Sequence, residues 1–426
     1  MLPDFPLTAE AILARKAEYL IPCIYHFYKD PPVLVSGAMQ YLRDARDRIY
    51  LDFFSGVSVA AFGHCNPRIV EETIEQLGTL QHLSSIYLTW PVVALAERLA
   101  NILPGHLSKS FFCCSGSEAN EGAFLLARLH TGKPGIVALT CSLHGRTHLG
   151  MSATGLPMWR TDPFPDPSAQ VVPGPYDEAA GRVTEEACEH SLRAIEETFS
   201  SGTIACCIVE PVQGNGGIVP LPARYLQQLR SLCTDHGVLM IDDEVQTGFG
   251  RTGRMFGIEH AEVVPDIITM AKALGNGVPV AAFATTPEIA ASFTRPSAST
   301  LGGNPVSCVT ALAVLKYIES EHLPERAAAH GARLLAGLAE LAQHHTGIAD
   351  VRGIGLMAGA ELRTAEGTPD AARTDAVLEW CKDHGLLLGK NGLHRNVIAF
   401  QPPLVITEED IAFCLNVFDQ ALSATS

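Results

Sequence analysis

The sequence has no apolar run approaching the ~20 residues that a membrane-crossing helix needs; its longest uninterrupted runs, such as 204–209 and 238–241, stop far short of that. Positive charge is scarce too. Its 30 Lys and Arg stand against 46 Asp and Glu, a formal net charge of −16, and no Lys/Arg cluster offers the footprint that a phosphate backbone or an anionic bilayer attracts. Nucleic acid and membrane are therefore excluded as expected partners. Met1-Leu2-Pro3-Asp4 has no basic region ahead of an apolar run, so no secretory signal is expected and a cytoplasmic location is. The 12 cysteines show neither C-x-x-C nor Cys/His ligand spacing, which predicts small buried hydrophobes in a reducing compartment and no metal site. No period of 20–50 residues repeats. With 47% apolar and only 18% charged residues in 426, the chain is not disordered and can bury a large core.

What the sequence does have is an alternation of short apolar runs with amphipathic segments of helical length, which predicts βα units and a parallel sheet. Strands are expected over 110–114, 136–140, 204–209, 238–242, 267–270 and 280–284, at least six in all, with helices over 117–129 and 223–236. The texture differs at both ends. Hairpin strands are expected over 41–44 and 49–52, an Ala/Leu-rich helix over 323–343, strands over 356–362 and 397–400, and a closing helix from Glu408. The expected organisation is a large α/β domain over 61–315 and a smaller α/β domain assembled from 1–60 and 316–426. Residues 161–181, with five prolines among 21, read as a surface excursion.

Three segments carry chemistry. Cys114-Ser115-Gly116-Ser117-Glu118-Ala119-Asn120-Glu121 joins a strand to a helix through small residues, so backbone N–H groups and the positive helix end can cradle an anion. In Val238-Leu239-Met240-Ile241-Asp242-Asp243-Glu244-Val245-Gln246 an apolar strand runs into acids, at the strand end where α/β sheets bind ligands. In Ile267-Ile268-Thr269-Met270-Ala271-Lys272-Ala273-Leu274-Gly275-Asn276-Gly277 one lysine stands among apolar residues, where desolvation favours the neutral amine that imine formation needs. Singly each has an ordinary explanation, as a helix cap, a solvated acid or a surface charge. Together they are the three parts a protein supplies to pyridoxal phosphate: a lysine for the aldehyde, an acid for the ring nitrogen and a cradle for the phosphate.

With those segments in view, the sequence resembles class III (ω-amino-acid type) pyridoxal-phosphate-dependent aminotransferases of PLP fold type I, from about Tyr28 to the C-terminus. The resemblance is carried by 115–121, His144-Gly145-Arg146-Thr147, Glu210-Pro211-Val212-Gln213-Gly214, 243–253, 271–277 and Ser299-Thr300-Leu301-Gly302-Gly303-Asn304-Pro305. Gly63-His64-Cys65-Asn66-Pro67 and Thr286-Pro287-Glu288-Ile289-Ala290 look most like the alanine–glyoxylate aminotransferase 2 branch, which also contains phospholyases of amino-alcohol phosphates. The implied fold is a mostly parallel, mixed seven-stranded sheet flanked by helices, plus the small domain. Residue by residue, the resemblance implies that Lys272 is the Schiff-base lysine and proton carrier, that Asp243 pairs with the pyridine nitrogen, and that Gln246 lies near the phenolic oxygen. It further implies that Gly116 and Ser117 hold the phosphate, that Leu143 and His144 flank the ring, and that Thr300 completes the phosphate site of a neighbouring subunit, which requires a homodimer. Asp242 is expected to be structural.

Two positions depart from the family pattern. Leu143 stands where relatives have Tyr or Phe stacked on the ring; it keeps an apolar lid but loses a flat face worth ~0.5–1.5 kcal/mol. Ala399 stands where relatives commonly have an arginine that grips the substrate carboxylate and pairs with the residue equivalent to Glu210. Three explanations compete: Arg395 holds the carboxylate, or the substrate has none and Glu210 attracts its amine or hydroxyl, or the reaction is not transamination. The expected activity is amino transfer from an amino acid or amine to an oxo acid such as pyruvate or glyoxylate by ping-pong exchange. An amino-acid or amino-amide racemase or epimerase is the nearest alternative, followed by a phospholyase or decarboxylase. A non-catalytic scaffold is disfavoured, because it would have no reason to keep a buried lysine that costs solvation.

Overall fold

A computed structural model describes residues 8–425. Seven strands make the central sheet: β1 (Lys109–Cys113), β2 (Gly135–Leu139), β3 (Ala169–Val172), β4 (Ile204–Val209), β5 (Leu239–Asp243), β6 (Ile267–Met270) and β7 (Ala281–Thr285). Their order is β1-β7-β6-β5-β4-β2-β3. Pairing from β6 across to β3 is parallel, and β7 alone runs antiparallel to both its neighbours. The strands β2, β4 and β6 bury every residue, as befits a sheet covered on both faces. Helix α1 (Gly116–Thr131) packs across β7, β6 and β4, while α2 (Glu185–Phe199) packs against α3 (Ala223–His236).

One expectation is corrected. Residues 161–181 are only in part a surface excursion: Ala169–Val172 is the edge strand β3, paired in parallel with Ile136–Leu139, and Tyr176–Asp177 pairs with Arg182–Val183. An edge strand needs one ladder only, so four residues can pair between prolines that would break a central strand.

At the ends of the chain, Leu34–Ala38, Tyr41–Asp44, Ile49–Asp52 and Leu386–Leu387 form a four-stranded sheet, with residues from both ends paired in parallel. A second sheet holds Ile348–Ile354, Met357–Leu362, Val397–Phe400 and Gly389–Asn391. All 12 cysteines are free, and most are buried. Among the described residues no helix is long and apolar enough to cross a membrane.

Strand β5 ends in adjacent acids that face opposite ways, since successive side chains alternate across a sheet. Asp242 turns into the core, where among the described residues neither of its oxygens meets a hydrogen-bond donor. Glu244, equally buried, accepts from the Ile258 amide at 2.8 Å and from the Thr247 hydroxyl. Burial first, then the charge of Glu244, pushes the Asp242 carboxyl well above the usual range. The folded chain therefore keeps a proton that the unfolded chain sheds near pH ~4, and stability falls as pH rises from there. Asp242→Asn is expected to stabilise the fold by an amount that grows with pH over the range from the ordinary carboxylate value upward. Unfolding midpoints across that range test this; variant and wild-type curves that stay parallel would refute it.

Candidate active site

The ends of β1, β5 and β6 converge on one cavity of about 450 Å³. Strand β1 leaves the sheet at Cys113, and Ser115 caps α1 by accepting the Glu118 amide at 3.3 Å. A glycine is required next: a Cβ on Gly116 would lie 2.9 Å from both methyls of Val245. The Ser117 hydroxyl accepts the Arg146 amide at 3.1 Å, and Gly145, at φ +138°, has no room for a Cβ, which would meet that hydroxyl at 2.7 Å. The first turn of α1 and the 144–146 turn thus form a close-fitted cradle of backbone amides with one hydroxyl.

Opposite lies Asp243, at the carboxyl end of β5 and almost wholly buried. Its Oδ2 accepts from Asn120 Nδ2 at 2.8 Å and from His144 Nδ1 at 2.7 Å, and its Oδ1 accepts the Val245 amide at 3.1 Å. Facing a carboxylate, His144 carries its proton on Nδ1. Asn120 spends its other amide hydrogen on the His144 carbonyl at 2.8 Å, which locks ring, carboxylate and helix together. Asn120 is the site residue that sequence reasoning quoted without a role; the available signal was a weak helix former inside α1.

Lys272 follows β6 with a left-handed backbone, φ +46°, and opens a short turn that Asn276 fastens to Phe62 and Gly63. A non-glycine residue held there stores strain of order 1–3 kcal/mol, the kind of cost that persists where surrounding contacts over-determine a functional position. Burial lowers the Lys272 ammonium to about 8, against the opposing pull of Asp243 and Glu210.

Gly116, Ser117, Leu143, His144, Asp243 and Lys272 all line this cavity, together with Arg146, Trp159, Val59 and Val245, which sequence reasoning did not single out. The other expected residues lie elsewhere. Gln246 sits behind the wall, its Oε1 accepting from Gln401 Nε2 at 3.1 Å. Thr300 lines a separate cavity, of about 700 Å³, that shares Cys114 with the first. Glu210 is buried beneath the Leu143 loop. Ala399 is buried with Val212, Ile218 and Met357, between Gly359 and Gly389 on the adjoining strands. The Arg395 guanidinium lies over Tyr25 and Phe27, 5.6 Å from each ring centre.

The amide cradle, the buried acid and the lowered amine all line one cavity and have the chemistry that would hold the phosphate, ring nitrogen and aldehyde of pyridoxal phosphate. The family profile "Aminotransferase class-III" matches residues 29–422. An Arabidopsis thaliana relative, alanine–glyoxylate aminotransferase 2 homolog 2, mitochondrial, is 42% identical, across 99% of this chain and 91% of its own. A Bacillus anthracis aminotransferase superposes with a TM-score of 0.90 at 32% identity, covering 97% of this chain and 98% of its own. An amine transaminase from an uncultivated Pseudomonas species, solved with PLP bound, does so with a TM-score of 0.90 at 28% identity, covering 96% and 99%. The chain is an enzyme of PLP-dependent transamination and belongs to the class III aminotransferases.

Proposed function

We propose that the chain moves an amino group from an amino acid or amine to a small oxo acid, pyruvate or glyoxylate being the acceptors of choice, with Arg146 as the carboxylate-binding residue. The observation that carries this reading is Arg146 itself: among the described residues it is the one arginine that lines the same cavity as Lys272 and Asp243. Arg395 is engaged with aromatic rings instead, and Ala399 is sealed in an apolar cluster. Bound in the cradle, pyridoxal phosphate supplies an aldehyde to take the amine and a ring that draws electrons from the substrate carbon. The chain supplies the rest. Asp243 holds a positive ring nitrogen, Lys272 carries the proton as general acid and base, and Leu143, Val59 and Trp159 keep water from the wall.

A panel of donors, with pyruvate and glyoxylate as acceptors, tests the substrate class. In the same assay Arg146→Ala is expected to raise KM for the oxo acid by about 10- to 100-fold, the loss of one charge-assisted carboxylate contact; an unchanged KM would remove Arg146 from the site. Ala399→Arg has little room: the bed formed by Gly359, Ala399 and Gly389 is already covered, since even a Cβ at Gly389 would lie 2.1 Å from the Phe54 ring. It is expected to lower stability by about 1–3 kcal/mol through overpacking.

A homodimer is the proposed assembly, with Thr300 completing the partner's phosphate site. Supporting it, Ile86, Tyr87, Leu88, Trp90 and Val93 leave a run of large apolar side chains exposed on one subunit, as does Leu301 beside Thr300. Sedimentation as a monomer at assay concentration would refute it. The free cysteines support a reducing compartment, in keeping with the cytoplasmic location proposed.

A further inference from the structure

We propose that Glu210 is a positioning residue: its two carboxylate oxygens each accept one backbone N–H, from Leu143 at 2.9 Å and from Gly214 at 3.0 Å, so that ionised Glu210 sets the height of two walls of the cofactor site. Leu143 lines the cavity directly. Gly214 supports the other wall from behind, because its Cα is so close to the Gln246 side chain that an added Cβ would lie 2.5 Å from Oε1. The Gly214 carbonyl is tied in turn, accepting from Asn391 Nδ2 at 3.0 Å. Both Glu210 oxygens are therefore engaged by main chain, the side chain is buried and off the cavity wall, and its task differs from substrate binding.

The tether depends on charge. A carboxylate accepts at both oxygens, whereas a protonated carboxyl turns one oxygen into a hydroxyl, which accepts poorly and opposes an N–H. The groups that face Glu210 are His144, Asp243, Lys272 and Cys141. Burial raises Glu210 to about 7, with His144 pulling it down and Asp243 pushing it up. Below that value one tether is lost, and cofactor affinity falls with it.

The inference rests on Leu143 covering the ring, and the test separates the two. Dissociation constants of pyridoxamine 5′-phosphate, which forms no covalent link to Lys272, are measured by fluorescence on the full chain stripped of cofactor, from about pH 6 to about pH 8.5, spanning the neutral range. Wild type is expected to lose affinity several-fold on the acid side. Glu210→Gln is expected to bind about tenfold more weakly at the alkaline end, and to lack the part of the acid limb that the ligand's own phosphate does not explain. Combining it with Leu143→Ala should add little, because both changes remove the same lid. An acid limb unchanged in Glu210→Gln assigns the titration to His144 or Lys272 and overturns the proposal. So do additive effects, which mean that Glu210 acts elsewhere. A Leu143→Ala chain that binds like wild type overturns it differently, by removing Leu143 from the ring. Should Glu210→Gln fail to fold, wild type labelled with 15N-leucine decides: the Leu143 amide signal is expected to shift with a midpoint near neutrality, and an amide insensitive to pH overturns the tether.

Discussion

Lys272→Ala is expected to abolish amino transfer, by on the order of 10⁴-fold or more, because it removes both the covalent anchor for the cofactor and the proton carrier. Among the described residues no other amine lines the cavity. The visible absorption that bound pyridoxal phosphate owes to its link with the lysine should vanish with the activity. Alanine keeps a Cβ on the left-handed backbone at φ +46°, so the strain at this position is retained and the loss reports on the amine. The fold should hold, since burying an ammonium opposes folding: with the Lys272 ammonium lowered to about 8, the unfolded chain binds more protons from there up to its ordinary range, and stability rises with pH across that window. The same lowering predicts that capture of added pyridoxal phosphate by the stripped wild-type protein quickens as pH rises through about 8 and then levels off. Turnover retained in Lys272→Ala would refute the assignment.

Much of this site was legible because each part ends a regular element. Strand β4 was expected over the residues where it lies, 204–209, and β6 likewise over 267–270. Strand ends and helix starts then gave the cradle, Asp243 and Lys272 by their place in the chain. What stayed hidden depends on contacts that local pattern does not encode. Asn120 reaches Asp243 across 123 positions of sequence, and Glu210 reaches the Leu143 amide across 67. Arg395 looked available for a carboxylate, yet it stacks on Tyr25 and Phe27 from the opposite end of the chain. Strand β3 was concealed by its proline neighbours. The resemblance had already given the two acids of β5 different roles, and the alternation of a strand supplies the physical reason, since it buries one in the core and turns the other to the cavity.

That alternation makes Asp243→Asn the second large expected effect. A neutral amide has no charge with which to hold a positive ring nitrogen, so the ring draws electrons less strongly, and kcat is expected to fall on the order of 10²–10⁴-fold. The surroundings sharpen the loss. Asn120 Nδ2, His144 Nδ1 and the Val245 amide all donate to this carboxylate, so whichever way an asparagine turns, its NH₂ group meets a donor. Leaving such a donor unpaired costs about 1–3 kcal/mol, which will appear as a lower unfolding midpoint. Asn120→Ala separates the two consequences, since it removes a donor from Oδ2 and leaves the charge in place; its kcat is expected to fall only about tenfold, as one hydrogen bond's worth of positioning. The comparison is decisive in either direction. If Asn120→Ala matches Asp243→Asn in kcat, the geometry around the acid governs the rate and its charge does not; if Asp243→Asn keeps kcat within tenfold of wild type, the ring nitrogen has another partner.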